Sequence, residues 1–103
     1  MKCFVEMSLD ADIIEVPDYI GRNIHKYRND FLDWIYDPNN PHPYRIELKN
    51  SNGNVYYAMC YDTTTFVDWL NTYVIRHPDI PAMILERGLD IESRPAAMLR
   101  IWF

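Results

Sequence analysis

The residues able to do chemistry are few and scattered. Three histidines, His25, His42 and His77, stand far apart in the chain. Metal sites draw ligands in close pairs such as CxxC or HExxH, and neither pattern occurs. His25 falls on the polar side of the first expected helix and His42 between two prolines in a loop. His77 ends the second expected helix, where a cation suits the helix dipole. No metal or cofactor is expected. Nucleophilic catalysis needs a Ser, Cys or Thr beside a base held by a third group. Cys60 has Asp62 nearby, but strand alternation puts both on one face only if the strand runs that far. With 3 Gly in the chain, no phosphate-cradling loop, GxSxG or GxGxxG is present. No catalytic residue is expected from local pattern.

Carboxylates offer more. Asp30, Asp33 and Asp37 recur at helical spacing, with Trp34 beside them. Paired carboxylates can do acid–base work. Here the simplest reading is a solvated helix face, with Lys26 and Asp30 as an i, i+4 pair of small value. The alternative is an acidic docking stripe, with Trp34 at its rim and Asp10, Asp12, Glu15 and Asp18 in a loop alongside. The first 43 residues hold eight acids and four bases, so −4 of the net −5 lies there. Direct nucleic-acid binding is disfavoured, because phosphate neutralisation needs clustered Lys and Arg. A basic partner would be attracted instead.

The elements that must position these residues are legible from periodicity. Residues 2–7 read as a short strand. Ile20, Ile24, Tyr27, Phe31, Trp34 and Ile35 fall on one face of a helix that starts near Pro17 and ends at Pro38. Asn52-Gly53 predicts a two-residue hairpin turn. In that register Tyr44, Ile46 and Leu48 face Tyr61, Met59 and Tyr57 on an apolar side. Arg45, Glu47 and Lys49 then face Cys60, Ala58 and Tyr56 on the other. Phe66, Trp69, Leu70, Tyr73 and Val74 predict a second helix. Its start can be capped by Asp62 or one of Thr63 to Thr65. Asp79, Pro81 and Gly88 fit a short helix over Ile80 to Arg87, although the same residues could form a strand. Ala96 to Phe103 reads as a last strand.

The expected order is β-α-β-β-α-(α)-β. With right-handed crossovers this predicts an α+β domain over 1–103: a four-stranded antiparallel sheet with both helices on one face, in the ferredoxin-like arrangement. Cys3 and Cys60 would then approach on the open face as reduced thiols. Tyr56, Ala58 and Cys60 on that face would form an apolar patch suited to a homodimer. At 103 residues and 49% hydrophobic, the chain can bury one core without staples. Aromatics make up 15%, including 8 Tyr. Two cysteines are too few for a secreted disulfide framework, and no apolar run approaches a membrane span. A cytoplasmic protein is expected.

Pro17-Asp18-Tyr19-Ile20-Gly21-Arg22-Asn23-Ile24 is similar to the Pro-x-Tyr-x-Gly-x-Asn segment of barstar-type ribonuclease inhibitors, over eight residues. His25 and Asn29 stand where that family carries acids, and the helix expected before the segment does not fit between Met7 and Pro17. No site residue is carried over. The expectation from charge and surface character is a non-enzymatic protein-binding domain, of the small acidic inhibitor or immunity type, meeting a basic, nucleic-acid-handling partner. The alternatives are a homodimeric assembly subunit and a small enzyme or ligand-binding domain with its site between sheet and helices.

Overall fold

Strand alternation and two amphipathic helices build most of the molecule. The computed structural model describes all 103 residues. The strands are β1 (Lys2–Glu6), β2 (Ala11–Glu15), β3 (Arg45–Lys49), β4 (Val55–Met59), β5 (Met83–Leu89) and β6 (Leu99–Trp102). The helices are α1 (Asp18–Gly21), α2 (Ile24–Tyr36) and α3 (Thr63–Trp69); α3 continues as a wider π-helical turn over Leu70–Val74. No helix is long and apolar enough to cross a membrane.

The domain is α+β, but its sheet is mixed and not ferredoxin-like. The four-stranded sheet runs β5-β2-β1-β6. β2 pairs antiparallel with both β1 and β5, whereas β6 lies parallel to β1. The hairpin β3-β4 forms a separate two-stranded sheet. The departure begins at residues 11–15, expected to lie within the loop from Asp10 to Asp18. Ala11, Ile13, Ile14 and Val16 are all buried. Asp12 is 8% exposed, and its Oδ1 accepts the Gly88 N–H at 2.9 Å where the β2–β5 register shifts. A bulge thus uses the charge that disguised the strand. β2 occupies the place beside β1 that the hairpin was expected to take. Its other edge recruits β5, so Met83–Leu89 takes the strand alternative and not the helix expected over Ile80 to Arg87.

β1 is covered on both sides. Cys3 and Val5 face α2 and α3, in a core with Ile14, Ile101, Ile20, Ile24, Phe31, Ile35, Phe66 and Leu70. Phe4 faces the other way, with Ala11 and Ile13, beneath Leu89, Ile91 and Met98. That second layer comes from the end of β5 and the segment joining it to β6. The reverse side of the sheet is therefore not bare, as had been expected. Cys3 is fully buried on the helix side and Cys60 is exposed, so the two free thiols do not meet on an open face.

The first helix buries the centre of its predicted stripe, and the second buries Phe66, Trp69 and Leu70 but not Tyr73. Ile20, Ile24, Phe31 and Ile35 are at most 2% exposed. The helix is interrupted at Asn23 (φ −122°, ψ 27°), whose side chain donates to the Tyr19 carbonyl at 2.9 Å. Asp62 caps α3 reciprocally: its Oδ1 accepts the Thr65 N–H at 3.1 Å, and its own N–H donates to Thr65 Oγ1 at 3.2 Å. At the other end Ile75 N–H reaches back to the Leu70 carbonyl at 2.8 Å, one residue further than an α-helix allows. The widened turn changes the helix phase and leaves Tyr73 exposed.

Candidate functional site

The β3-β4 hairpin projects from the body as an arm. The radius of gyration is 15.2 Å, against about 12.8 Å for a compact chain of this length. The accessible surface, 6703 Å², likewise exceeds the roughly 6,100 Å² expected from the mass. Contacts with the body are concentrated at the root. Tyr44, Met59 and Tyr61 pack against the main core. The Arg45 guanidinium donates to the Asp37 carbonyl at 2.8 Å.

Its register is one residue away from the expected one. Ile46 pairs with Ala58, Leu48 with Tyr56 and Glu47 with Tyr57. The turn explains the slip. A two-residue I′ turn needs positive φ at both Asn52 and Gly53, yet only Gly53 has it, at +80°. Asn50 Oδ1 instead accepts the N–H groups of Asn52 and Asn54, each at 3.0 Å, and Gly53 N–H bonds the Asn50 carbonyl. This is a three-residue loop closed by a left-handed glycine. Because the side-chain period is two, the one-residue shift exchanges the faces of β4 relative to β3. Tyr44, Ile46 and Leu48 now share a face with Tyr56, Ala58 and Cys60. Val55, Tyr57 and Met59 stand opposite Lys49, Glu47 and Arg45.

Apolar residues thus lie on both faces, and solvent reaches both. Ile46, Leu48, Val55, Tyr56 and Tyr57 are 40%, 37%, 46%, 49% and 63% exposed. The proposed dimer residues Tyr56, Ala58 and Cys60 do share a face, on this arm and not on the main sheet. Ile46, Leu48, Val55 and Tyr57 were not expected at a surface. The missed signals are the Asx-type turn residue Asn50 and the absence of any charge from Val55 to Met59.

The acidic residues are more dispersed than a stripe. Asp30 is held by Lys26 Nζ at 2.8 Å. Asp37 Oδ1 accepts the Asn39 N–H at 2.9 Å and so serves the turn after α2. Asp33 is exposed and makes neither a hydrogen bond nor an ion pair. Trp34 is half-buried, stacked on His42 at 5.2 Å and tilted against Tyr73 at 5.6 Å. His42 is fixed from both sides. Its Nε2 lies 2.6 Å from the Ile35 carbonyl and its Nδ1 accepts the Tyr44 N–H at 3.1 Å, which selects the neutral Nε2–H tautomer. This histidine organises the loop into the arm. Asp12 belongs to the bulge already described. Asp18 lies in the first turn of α1, 3.4 Å from the Met1 ammonium, and Glu15 is exposed at the end of β2.

A cleft of about 630 Å³ opens at the root of the arm, lined by Asp10, Asp12, Tyr36, Tyr61, Asp62 and Arg87 among others. Most of its polar groups are engaged within the fold. Asp12 holds Gly88, Asp62 caps α3, and Arg87 donates to Thr64 Oγ1 at 3.0 Å. Burial and the neighbouring Tyr36 push the Tyr61 hydroxyl up to about 12. No group of three or more His, Cys, Asp or Glu is placed to hold a metal ion. The space between sheet and helices is filled by the main core. Comparison with protein-family models, with curated proteins and with solved structures gives no match.

Proposed function

We propose that this chain is a non-enzymatic protein-binding domain whose contact surface is the β3-β4 arm. The carrying observation is the exposure of Ile46, Leu48, Val55, Tyr56 and Tyr57 on a two-stranded ribbon. A lone hairpin is marginal in water, and a contiguous exposed apolar surface is unusual on a monomer. Tyr is also well suited to a contact that must be wet when free and dry when bound. An inhibitor or immunity-type role against a basic partner would add Asp33, the carboxylate of α2 free of internal partners.

The test is recovery of partners from the native host on immobilised wild-type protein and on Leu48→Asp and Tyr56→Asp variants. These two side chains face each other on one side of the arm. Partners should be lost from both variants while their circular dichroism stays native. Equal recovery on all three proteins would refute the arm as the contact. If Asp33 takes part, binding should weaken with added salt and in Asp33→Asn.

A further inference from the structure

Both edges of the arm are unpaired, and they differ in charge. Even-numbered residues form the hydrogen-bonded pairs inside the hairpin, as the Cys60 N–H to Tyr44 carbonyl bond of 2.8 Å shows. In an antiparallel ladder the alternate residues direct their N–H and C=O groups outward. On β4 these are Val55, Tyr57 and Met59; on β3 they are Arg45, Glu47 and Lys49. Native edges are usually guarded by charge, proline or cover. β3 is guarded in this way. β4, reading Val-Tyr-Tyr-Ala-Met, has no charged residue and no proline.

We infer that β4 is a self-association edge: two copies pair antiparallel through it into a continuous sheet β3-β4-β4-β3. This rests on the reading of the arm as a contact surface and names its occupant as a second copy. The register follows from the outward groups. Tyr57 sits on the two-fold axis opposite its own copy and Val55 lies opposite Met59, both as hydrogen-bonded pairs. Tyr56 then faces Ala58 between them. Every pair is apolar or aromatic, the kind that stabilises cross-strand contacts. The same operation on β3 would set Glu47 against Glu47 and Arg45 against Lys49, like charges in each pair. Charge therefore selects the edge. The remaining outer strands are poorer partners. The Trp102 carbonyl of β6 already accepts Arg28 Nε at 2.6 Å, and β5 carries Glu86 and Arg87. Pairing β4 with either would also be head-to-tail and would not close.

The experiment is sedimentation equilibrium on the full chain in a dilution series reaching about 1 mM, the weak end of measurable association. Wild type should show a monomer–dimer equilibrium. Tyr57→Lys and Tyr57→Glu should each be folded and monomeric, because each sets like charges face to face on the axis. Mixed together they should dimerise again, since Lys then faces Glu. That rescue cannot arise from a folding defect. A wild-type monomer throughout, or a dimer that persists in Tyr57→Lys, would overturn the inference. Loss of host partners from the Leu48→Asp and Tyr56→Asp variants alongside a wild-type monomer would keep the arm as a contact surface and remove only self-association.

Discussion

Phe31 is the side chain on which the two helices, the arm root and the C-terminal strand converge. Its ring lies 5.5 Å from Tyr61, 5.4 Å from Phe66, 5.6 Å from Trp69 and 5.7 Å from Phe103, all edge-on, and 6.2 Å from Trp34 in a stacked arrangement. Edge-to-face pairs at these separations contribute about 0.5–1.5 kcal/mol each beyond area burial. Phe31→Leu keeps most of the apolar volume but removes every ring–ring contact. Since neighbouring contacts are not additive, the expected loss is about 1–3 kcal/mol. Phe31→Ala should lose about 3–5 kcal/mol, because a cavity is added. With a urea slope of about 1–3 kcal/mol per molar, the leucine variant should unfold roughly 1 M earlier. A double-mutant cycle with Phe103→Leu should show coupling above about 0.5 kcal/mol. The reasoning fails if Phe31→Leu unfolds at the wild-type urea concentration, or if the two changes add without coupling.

Four further outcomes rest on other contacts. Asp62→Ala removes the cap of α3 and should lower stability by about 1 kcal/mol, with little further loss on adding Thr65→Ala; calorimetry of the three variants checks this. Asn71 bonds both backbone groups of buried Ala82, donating to its carbonyl at 3.0 Å and accepting its N–H at 2.8 Å. Asn71→Leu should therefore cost about 1–3 kcal/mol for each group left unpaired, with the entry to β5 the first region to exchange amide hydrogens. Burial pushes the Cys3 thiol up from 9.0 to about 11. The unfolded chain then ionises first, so stability is full below about pH 9 and falls as pH rises toward about 11. Urea midpoints across that window test it, and Cys3→Ser should flatten the fall. In native protein a thiol reagent should modify exposed Cys60 alone, reaching Cys3 only on unfolding.

Local interactions were legible and distant pairings were not. The stripe from Ile20 to Ile35 states its buried face through spacing alone, because a helix closes its own hydrogen bonds whatever surrounds it. The start of α3 was equally readable, since Asp62 and Thr65 satisfy one another within four residues. The arm's existence was visible in its turn residues, but its register was not. Asn50 and Asn52 offer competing turns one residue apart, and no buried face existed to choose between them.

The sequence by itself determined the α+β class, the two apolar helix faces, the strands at either end and the absence of any local metal or nucleophile pattern. Only the tertiary structure decided that β6 lies parallel to β1, that Asp12 hides a strand by holding a bulge, and that the segment after β5 covers the far side of the sheet. It also decided that the hairpin stands apart. A strand's partner is set by which edges and buried faces the rest of the fold offers it, and those come from residues tens of positions away. No window of neighbouring residues records it.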